Sequence, residues 1–179
     1  MIAKKYRRRK TTQRKKLLEV VDSDNRVVGL MPKEEVHEQQ LMHRSVLVLL
    51  YNTEKKLYIQ KRSSRKLKYP ECWDLSANGH VLAFETPKEA AIRELQEELG
   101  IAVSNVNLVH NFPACTETEF EFVSIYSAGV SHQVPQPNPR DVIRGVFVED
   151  HELDYLVRTF AHQFTPGVHY FWSCGLLFQ

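Results

Sequence analysis

A 23-residue stretch, residues 79–101, carries the signals of a well-capped helix and an unusual concentration of carboxylates. Both helix ends are marked: a threonine N-cap begins a Thr-x-x-Glu capping box, a proline takes the first helical position, and a glycine follows the last turn. These residues are Thr86, Pro87, Glu89 and Gly100. The sequence therefore predicts a helix over residues 86–99, entered from a loop that opens at Gly79.

The predicted helix has two distinct flanks when its residues are spaced at about 100°. The apolar flank, which we expect to face the core, contains Ile92, Leu95 and Leu99. The acidic flank, which has Ala90 and Ala91 beside it, contains Glu94, Glu97 and Glu98. Because like charges at i,i+4 destabilise a helix, this flank is either a solvated face, with Arg93 paired to Glu97, or a site for a hard cation. Mg²⁺ and Mn²⁺ take carboxylate oxygens, and the small alanines and the preceding loop favour the second interpretation.

The full pattern of the stretch is Gly-x5-Glu-x7-Arg-Glu-Leu-x-Glu-Glu-x-Gly-Ile, which resembles the Nudix box at every fixed position. The resemblance implies an α+β fold, an α/β/α sandwich on a mixed sheet, with the box as loop–helix–loop. It also implies metal-dependent attack of water on a diphosphate linked to another group. In that family the glutamates matching Glu94, Glu97 and Glu98 hold Mg²⁺ or Mn²⁺. The residue matching Arg93 orients glutamates, and the one matching Glu85 supports the loop or an outer metal.

Composition narrows the class of protein. The chain has 179 residues with 42% hydrophobic and 26% charged residues, which is ordinary for a globular domain. Apolar runs stay well short of the roughly 20 residues of a membrane span. The start lacks the apolar core of a signal peptide, so we expect a cytoplasmic location. Three widely spaced cysteines, Cys72, Cys115 and Cys174, form neither a disulfide framework nor a zinc pattern.

Charge is distributed unevenly along the chain. The net charge is +2, but residues 1–16 carry nine Lys or Arg and no acid, leaving 24 − 9 = 15 basic against 22 acidic residues in the remainder. We therefore expect a flexible basic tail at 1–16 and a Nudix-like domain at 17–179. Residues 4–16 could contact RNA or an acidic membrane surface, or remain solvated or fold back on the acidic body.

Alternation and turn signals predict the other elements. Predicted strands cover residues 17–21, 26–30, 44–51, 56–62, 73–77, 103–112 (one or two strands), 117–127 and 143–148. Predicted helices or turns cover residues 32–37, 149–160 and 165–172. Within 117–127, a period of two would place Glu117, Glu119 and Glu121 on one face of a strand.

A basic loop precedes the box, where a phosphate substrate would lie. It contains Arg62, Arg65, Lys66 and Lys68. We interpret Arg62, Arg65 and Lys68 as candidate phosphate contacts, with solvated loop charge as the alternative.

Further motifs, spread over about residues 20–172, are similar to type I isopentenyl-diphosphate isomerase. They are His43-Arg44, Gln60-Lys-Arg-Ser-Ser, Tyr69-Pro-Glu-Cys-Trp73-Asp, Asn78-Gly-His80, Glu119-Phe-Glu121 and Phe164-Thr-Pro166. Isomerases of this type hold a divalent metal with three histidines and two glutamates. The matching positions are His43, His80, Glu119 and Glu121, with His37 as the candidate third histidine.

The chain departs from the isomerase pattern at Asn78, where those enzymes place their proton-transferring cysteine. An asparagine has no titrating group that could protonate an alkene, and Cys72 lies six residues upstream. The intact box retains what phosphate hydrolysis needs.

We therefore predict an isomerase-like Nudix hydrolase that cleaves a nucleoside diphosphate linked to another moiety, or a related organic diphosphate, with Mg²⁺ or Mn²⁺. Glu94 or Glu98 could act as base through a bound water, and Glu119 and Glu121 are further candidates. An isomerase of prenyl diphosphates and a catalytically silent binding module that uses the basic tail are the alternatives. The sequence leaves the substrate and the oligomeric state open.

Overall fold

Strand β3 (His43–Tyr51) lies at the centre of the fold and is buried along nearly its whole length in the computed structural model, which describes residues 16–178. Its apolar run is typical of a strand covered on both faces. β3 pairs in parallel with β8 (Glu121–Val130) and antiparallel with β6 (Ala77–His80). The sheet is therefore mixed, as predicted.

The remaining elements surround this strand. The other strands are β1 (Leu17–Val21), β2 (Val27–Pro32), β4 (Leu57–Arg62), β5 (Trp73–Leu75), β7 (Asn107–Phe112) and β9 (Val142–Val148). The helices are α1 (Lys33–Glu38), α2 (Pro87–Leu99), α3 (Asp150–Thr159) and α4 (Pro166–Ser173), with a 3₁₀ turn at Ala161–Gln163. β1 and β2 form a separate hairpin, and the larger sheet runs β5-β4-β3-β8-β7 with β6 beside β3 and β9 beside β4.

The two faces of β3 pack against different helices because successive side chains of a strand point to opposite sides. Val46, Val48 and Leu50 join the core formed with α2. Leu47 and Leu49 join the core formed with α3 and α4. The predicted α/β/α sandwich is confirmed.

Helix α2 has the predicted capping box. Thr86 Oγ1 accepts a hydrogen bond from the Glu89 backbone N–H at 3.3 Å, and Glu89 Oε2 accepts one from the Thr86 backbone N–H at 2.8 Å. Gly100 ends the helix in the left-handed conformation with φ of 66°. Leu95 and Leu99 are fully buried, so the apolar flank faces the core as expected.

One predicted strand, 73–77, is wrong because the structure divides this region into β5 and β6. Ser76 lies between them, and its Oγ donates to Tyr58 O at 2.6 Å and accepts from the Leu50 N–H at 3.0 Å. The hydroxyl thus bonds to both β3 and β4 where the chain changes partner. β7 likewise begins only at Asn107, later than the predicted 103.

The predicted strand over 117–127 is also wrong in its first half. Residues 116–120 form a turn, and β8 begins at Glu121. Thr118 Oγ1 accepts from the Cys115 N–H at 2.9 Å, and Phe120 N donates to Cys115 O at 2.8 Å, so local hydrogen bonds replace the ladder. Glu119 has a positive φ of 55°, and therefore Glu117, Glu119 and Glu121 do not share a strand face.

The predicted basic tail and its proposed nucleic-acid contact lie outside the described residues, apart from Lys16. Within residues 16–178, no helix is long and apolar enough to cross a membrane.

Candidate active site and metal centre

Helix α2 places two glutamates one turn apart on the side that faces β6. Glu94 and Glu98 expose only 8% and 2% of their surface. Gly79 makes this arrangement possible, because a Cβ at that position would overlap the Glu94 carboxylate. Glu97 points away, and its side chain is 47% exposed. The three box glutamates therefore do not form one uniform face.

The two oxygens of Glu98 have different partners. Oε2 accepts from Gln60 Nε2 at 2.9 Å and from the Asn78 N–H at 3.3 Å. Oε1 accepts from the Lys66 ammonium at 3.2 Å. Burial raises the pKa of Glu98, while Lys66, Gln60 and Asn78 act in the opposite direction.

Arg93 ties the acidic flank to the loop that precedes α2. Its Nη1 donates to Glu94 Oε1 at 2.6 Å, and its Nε donates to Glu85 Oε1 at 2.7 Å. Its Nη2 donates to Glu85 Oε2 and to His80 O, each at 2.9 Å. Arg93 lies farther from Glu97, at 3.5 Å, so the simple Arg93–Glu97 pair of a solvated helix face is only a minor contact.

Burial raises the pKa of Glu94 to about 7, with a smaller contribution from Glu98 and with Arg93 opposing the change. Glu85 also accepts from the Leu82 N–H at 3.0 Å, which fits a role in supporting the loop. Carboxylates this deeply buried need compensation, and Arg93 and Lys66 supply only part of it. On the chemistry of these oxygen donors, the pair formed by Glu94 and Glu98 suits Mg²⁺ or Mn²⁺.

The basic loop reaches the site through Lys66, which is not one of the three predicted phosphate contacts. Lys66 reaches Glu98 and also pairs with Asp141 at 2.8 Å. Arg62 is instead paired with Asp74 at 2.8 Å, and Lys68 with Glu119 at 2.5 Å. The guanidinium of Arg62 is therefore already neutralised by a carboxylate.

Arg65 is exposed, so its side chain is open to a ligand.

Lys33, at the start of α1, is a site residue that sequence reasoning missed. Burial lowers the pKa of its ammonium, and nearby Lys66 and Lys16 lower it further, whereas Glu94 and Glu121 raise it. Lys33 therefore lies near Glu94 on α2 and near Glu121 at the start of β8. Nothing in the local sequence around Lys33 separates it from an ordinary helix-start lysine.

A second cluster gathers three histidines and one glutamate from four different elements. Its members are His37 on α1, His43 at the start of β3, His80 at the end of β6 and Glu121 at the start of β8. One ligand atom from each lies within 4.8 Å of every other. Strand register explains the convergence, because His43 lies opposite Glu121 and Ser45 lies opposite His80.

The hydrogen bonds of His43 direct a lone pair into this cluster. Its Nδ1 lies 2.8 Å from Leu41 O, and a carbonyl can only accept, so Nδ1 carries the proton. In the neutral ring Nε2 is then an acceptor. It is buried 3.3 Å from Glu121 Oε1 without hydrogen-bond geometry, and no described residue is its hydrogen-bond partner.

The other two imidazoles are also suited to metal binding. His37 Nε2 and His80 Nε2 share a hydrogen bond of 2.9 Å, so one of the two nitrogens donates to the other and would lose this proton on binding a metal. Burial, together with His80 and His43, lowers the pKa of His37 to about 4, and burial also lowers the pKa of His80 against the pull of Glu121. Three imidazoles with one carboxylate are a donor set that fits Zn²⁺ or Mn²⁺.

Glu119 does not join the cluster as the isomerase resemblance implied. Its carboxylate accepts from Lys68 Nζ and from the Tyr69 hydroxyl, both at 2.5 Å. The turn at 116–120 therefore directs Glu119 toward the basic loop, while Glu121 points to the histidines.

The side chain of Asn78 is held in a polar network at the position of the isomerase cysteine. Asn78 Nδ2 donates to Asp74 Oδ2 at 2.9 Å. Asp74 also accepts from Arg62 Nη1 at 2.8 Å and from Thr165 Oγ1 at 3.1 Å. The amide is thus committed as a donor to Asp74, and position 78 itself offers neither a thiol nor another titrating group.

Comparison with known proteins agrees with this geometry. The model of the NUDIX domain matches residues 41–167. An uncharacterized Nudix hydrolase of Pseudomonas aeruginosa is 42% identical over 85 residues, which are 48% of this chain and 50% of that protein. The chain thus spans about half the length of that relative.

Two other proteins match over more of their length. An isopentenyl-diphosphate Delta-isomerase of Streptomyces griseus is 31% identical over 144 residues, covering 76% of this chain and 73% of that protein. The crystal structure of DR0079 from Deinococcus radiodurans aligns with a TM-score of 0.72 and 27% identity, covering 83% of this chain and 91% of that one. Because the domain model matches well over half of the sequence, the protein belongs to the Nudix family, in which its relatives include both Nudix hydrolases and isopentenyl-diphosphate isomerases.

Proposed function

We propose that this protein is a metal-dependent Nudix hydrolase that cleaves a nucleoside diphosphate linked to another moiety, or a related organic diphosphate, by attack of water at phosphorus. The observation that carries the proposal is the burial of Glu94 and Glu98 side by side on α2, next to a glycine that leaves room for the Glu94 carboxylate. Two buried carboxylates with only partial compensation are unfavourable unless a cation binds between them.

A divalent ion held by Glu94 and Glu98 would neutralise the diphosphate and acidify the attacking water. Glu97 would complete the oxygen donors from the exposed side. Arg93 keeps Glu94 and Glu85 in place, so its role is to orient these carboxylates. Such fixed groups favour the transition state because they need little reorganisation during the reaction.

The base that accepts the proton from water is one of the two buried glutamates. Glu94 has a pKa near 7, which suits a group that exchanges a proton near neutral pH. Glu98 is the alternative, and its Oε1 is the oxygen not already bonded to Gln60 and Asn78. Glu121 is less suited to this role because it faces the histidines.

The ammonium groups near the site would bind the phosphates. Lys66 contacts Glu98 directly, Lys33 lies near Glu94, and Arg65 is exposed on the loop that carries Lys66. Arg62 and Lys68 would act on the phosphates only by exchanging Asp74 and Glu119 for the substrate.

The test is a phosphate-release screen of nucleotide and prenyl diphosphates with Mg²⁺ and with Mn²⁺, in which an added phosphatase converts the phosphate monoesters formed into free phosphate and controls without the protein are subtracted. We expect turnover of at least one diphosphate-linked compound that stops when the metal is chelated. Absence of release from every compound, with folded protein and both metals, would argue against the hydrolase.

An isomerase acting on prenyl diphosphates is the second candidate, because His37, His43, His80 and Glu121 bring together the three histidines and one of the two glutamates of the metal site that the isomerase resemblance implies. Asn78 weighs against it, since its amide cannot protonate an alkene. Product analysis separates the two: migration of the double bond without phosphate release would support the isomerase, whereas phosphate release supports the hydrolase.

A further inference from the structure

Lys66 shares its ammonium between two carboxylates. It lies 3.2 Å from Glu98 Oε1 and 2.8 Å from Asp141 Oδ1. Glu98 Oε2 is already bonded to Gln60 and Asn78, so Oε1 is the oxygen that remains for a metal ion. Lys66 therefore occupies the place on Glu98 that a divalent cation needs.

Asp141 is held in a fixed position relative to Glu98. Its Oδ2 accepts from Asn138 Nδ2 at 3.3 Å, and its carbonyl accepts from the Ser63 N–H at 2.8 Å. Asn138 in turn bonds to the end of α2, donating from its backbone N–H to Glu98 O at 2.8 Å and from Nδ2 to Glu97 O at 3.3 Å. These carbonyls belong to the last turn of α2 and have no partner within the helix.

We propose that Asp141 is a positioning residue that sets the affinity of the Glu98 site for a divalent metal by giving the Lys66 ammonium a carboxylate partner when the metal displaces it from Glu98. The inference rests on the proposed function, because it requires that Glu98 binds metal.

The physical argument is competition for one oxygen. An ammonium and a metal ion cannot both lie on Glu98 Oε1, so the metal must displace Lys66. With Asp141 present, the displaced ammonium keeps a carboxylate partner at hydrogen-bond distance. Without Asp141, displacement would leave a half-buried ammonium with no carboxylate partner among the described residues, which is unfavourable. Asp141 therefore lowers the free energy needed to exchange Lys66 for the metal.

The test measures Mn²⁺ binding without substrate, by electron paramagnetic resonance of the free ion during titration of the full chain. Glu98→Gln first identifies the class of site that contains Glu98. For that site we expect Asp141→Asn to weaken Mn²⁺ binding about tenfold and Lys66→Gln to strengthen it, as for residues coupled through a shared contact. In the Lys66→Gln background, Asp141→Asn should change binding by no more than about twofold.

The double variant distinguishes a positioning role of Asp141, acting on Lys66, from a simple effect of the negative charge of Asp141. Loss of a nearby negative charge would weaken Mn²⁺ binding equally with and without Lys66, and equal effects would overturn the proposal. Weaker or unchanged binding in Lys66→Gln would also overturn it, since Lys66 would not be a competitor.

Two further measurements serve as controls. Asp141→Glu keeps the charge and should restore binding toward the wild-type value, and circular dichroism checks that each variant is folded. If Glu98→Gln loses no Mn²⁺, both the proposed function and this inference fail. If it loses one class of site but the two backgrounds behave alike, only this inference fails.

Discussion

The Glu94 carboxylate occupies the space that a side chain on Gly79 would need. The glycine is therefore required by the close approach of β6 to α2, and its φ is not in the left-handed region. The backbone of one element and an acidic side chain of the other share a gap too narrow for a methyl group.

Gly79→Ala should therefore displace Glu94 and lower hydrolysis by about 10- to 100-fold, because small displacements of catalytic groups carry costs of this size. The measurement is kcat and KM on the substrate found by the release screen. Gly29→Ala is the matched control, since a Cβ there would meet no atom within 4 Å. Equal rates for Gly79→Ala and wild type would show that Glu94 need not occupy its observed position.

Glu98→Gln should reduce the rate of hydrolysis by at least about 100-fold, because it removes a charge aimed at the metal and phosphates in a water-poor site. The amide keeps the shape of the side chain, so the fold should survive. Glu54→Gln removes a carboxylate that is 66% exposed on the surface and serves as the control. Near-normal rates in a Glu98→Gln preparation free of wild-type enzyme would refute the metal assignment.

Local sequence rules predict α2 well because its signals are all within one segment. The capping box of Thr86 and Glu89, the stop at Gly100 and the buried Leu95 depend on neighbours three or four residues away. The family resemblance adds what local rules lack, namely that His43 and His80 approach one another.

Features that depend on distant partners were not predictable in this way. Asp141 and Lys66 are 75 residues apart and meet through the loop that Asn138 attaches to α2. The alternation of Glu119 and Glu121 favoured a strand, but the Thr118 hydroxyl stabilises a turn there. A period-two pattern reflects only the spacing of side chains, so it does not reveal local hydrogen bonds that compete with a strand.

The histidine cluster gives the metal-free protein a defined pH dependence. Burial and its two neighbouring histidines lower the pKa of His37 from 6.5 to about 4. Between these values the unfolded chain binds more protons than the folded one, so this group makes the folded state more stable as pH rises from about 4 to 6.5. Its contribution is complete above 6.5 and is lost as pH falls through 4.

His37→Gln should flatten this part of the stability curve, measured by urea unfolding with a chelator present. The quantity to compare is the difference in unfolding free energy between variant and wild type at each pH, which cancels the titrating groups that do not interact with His37. His132→Gln is the control, at a histidine outside the cluster. A difference that does not change across the window would mean that His37 titrates normally in the folded protein.

The buried Nε2 of His43, which no described residue hydrogen-bonds, predicts a second class of bound metal. His43 Nδ1 donates to Leu41 O, so in the neutral ring Nε2 is an acceptor without a hydrogen-bond partner among the described residues, and leaving such an atom buried costs about 1–3 kcal/mol. A transition metal coordinated by this nitrogen would remove the cost.

His43→Gln should therefore abolish one class of Zn²⁺ or Mn²⁺ binding, measured by elemental analysis after loading and dialysis, while the class that depends on Glu98 remains. His110→Gln, at a histidine on β7 outside the cluster, should retain both classes. If His43→Gln and wild type retain the same metal, the cluster is a set of packed neutral imidazoles, and the second metal site must be withdrawn.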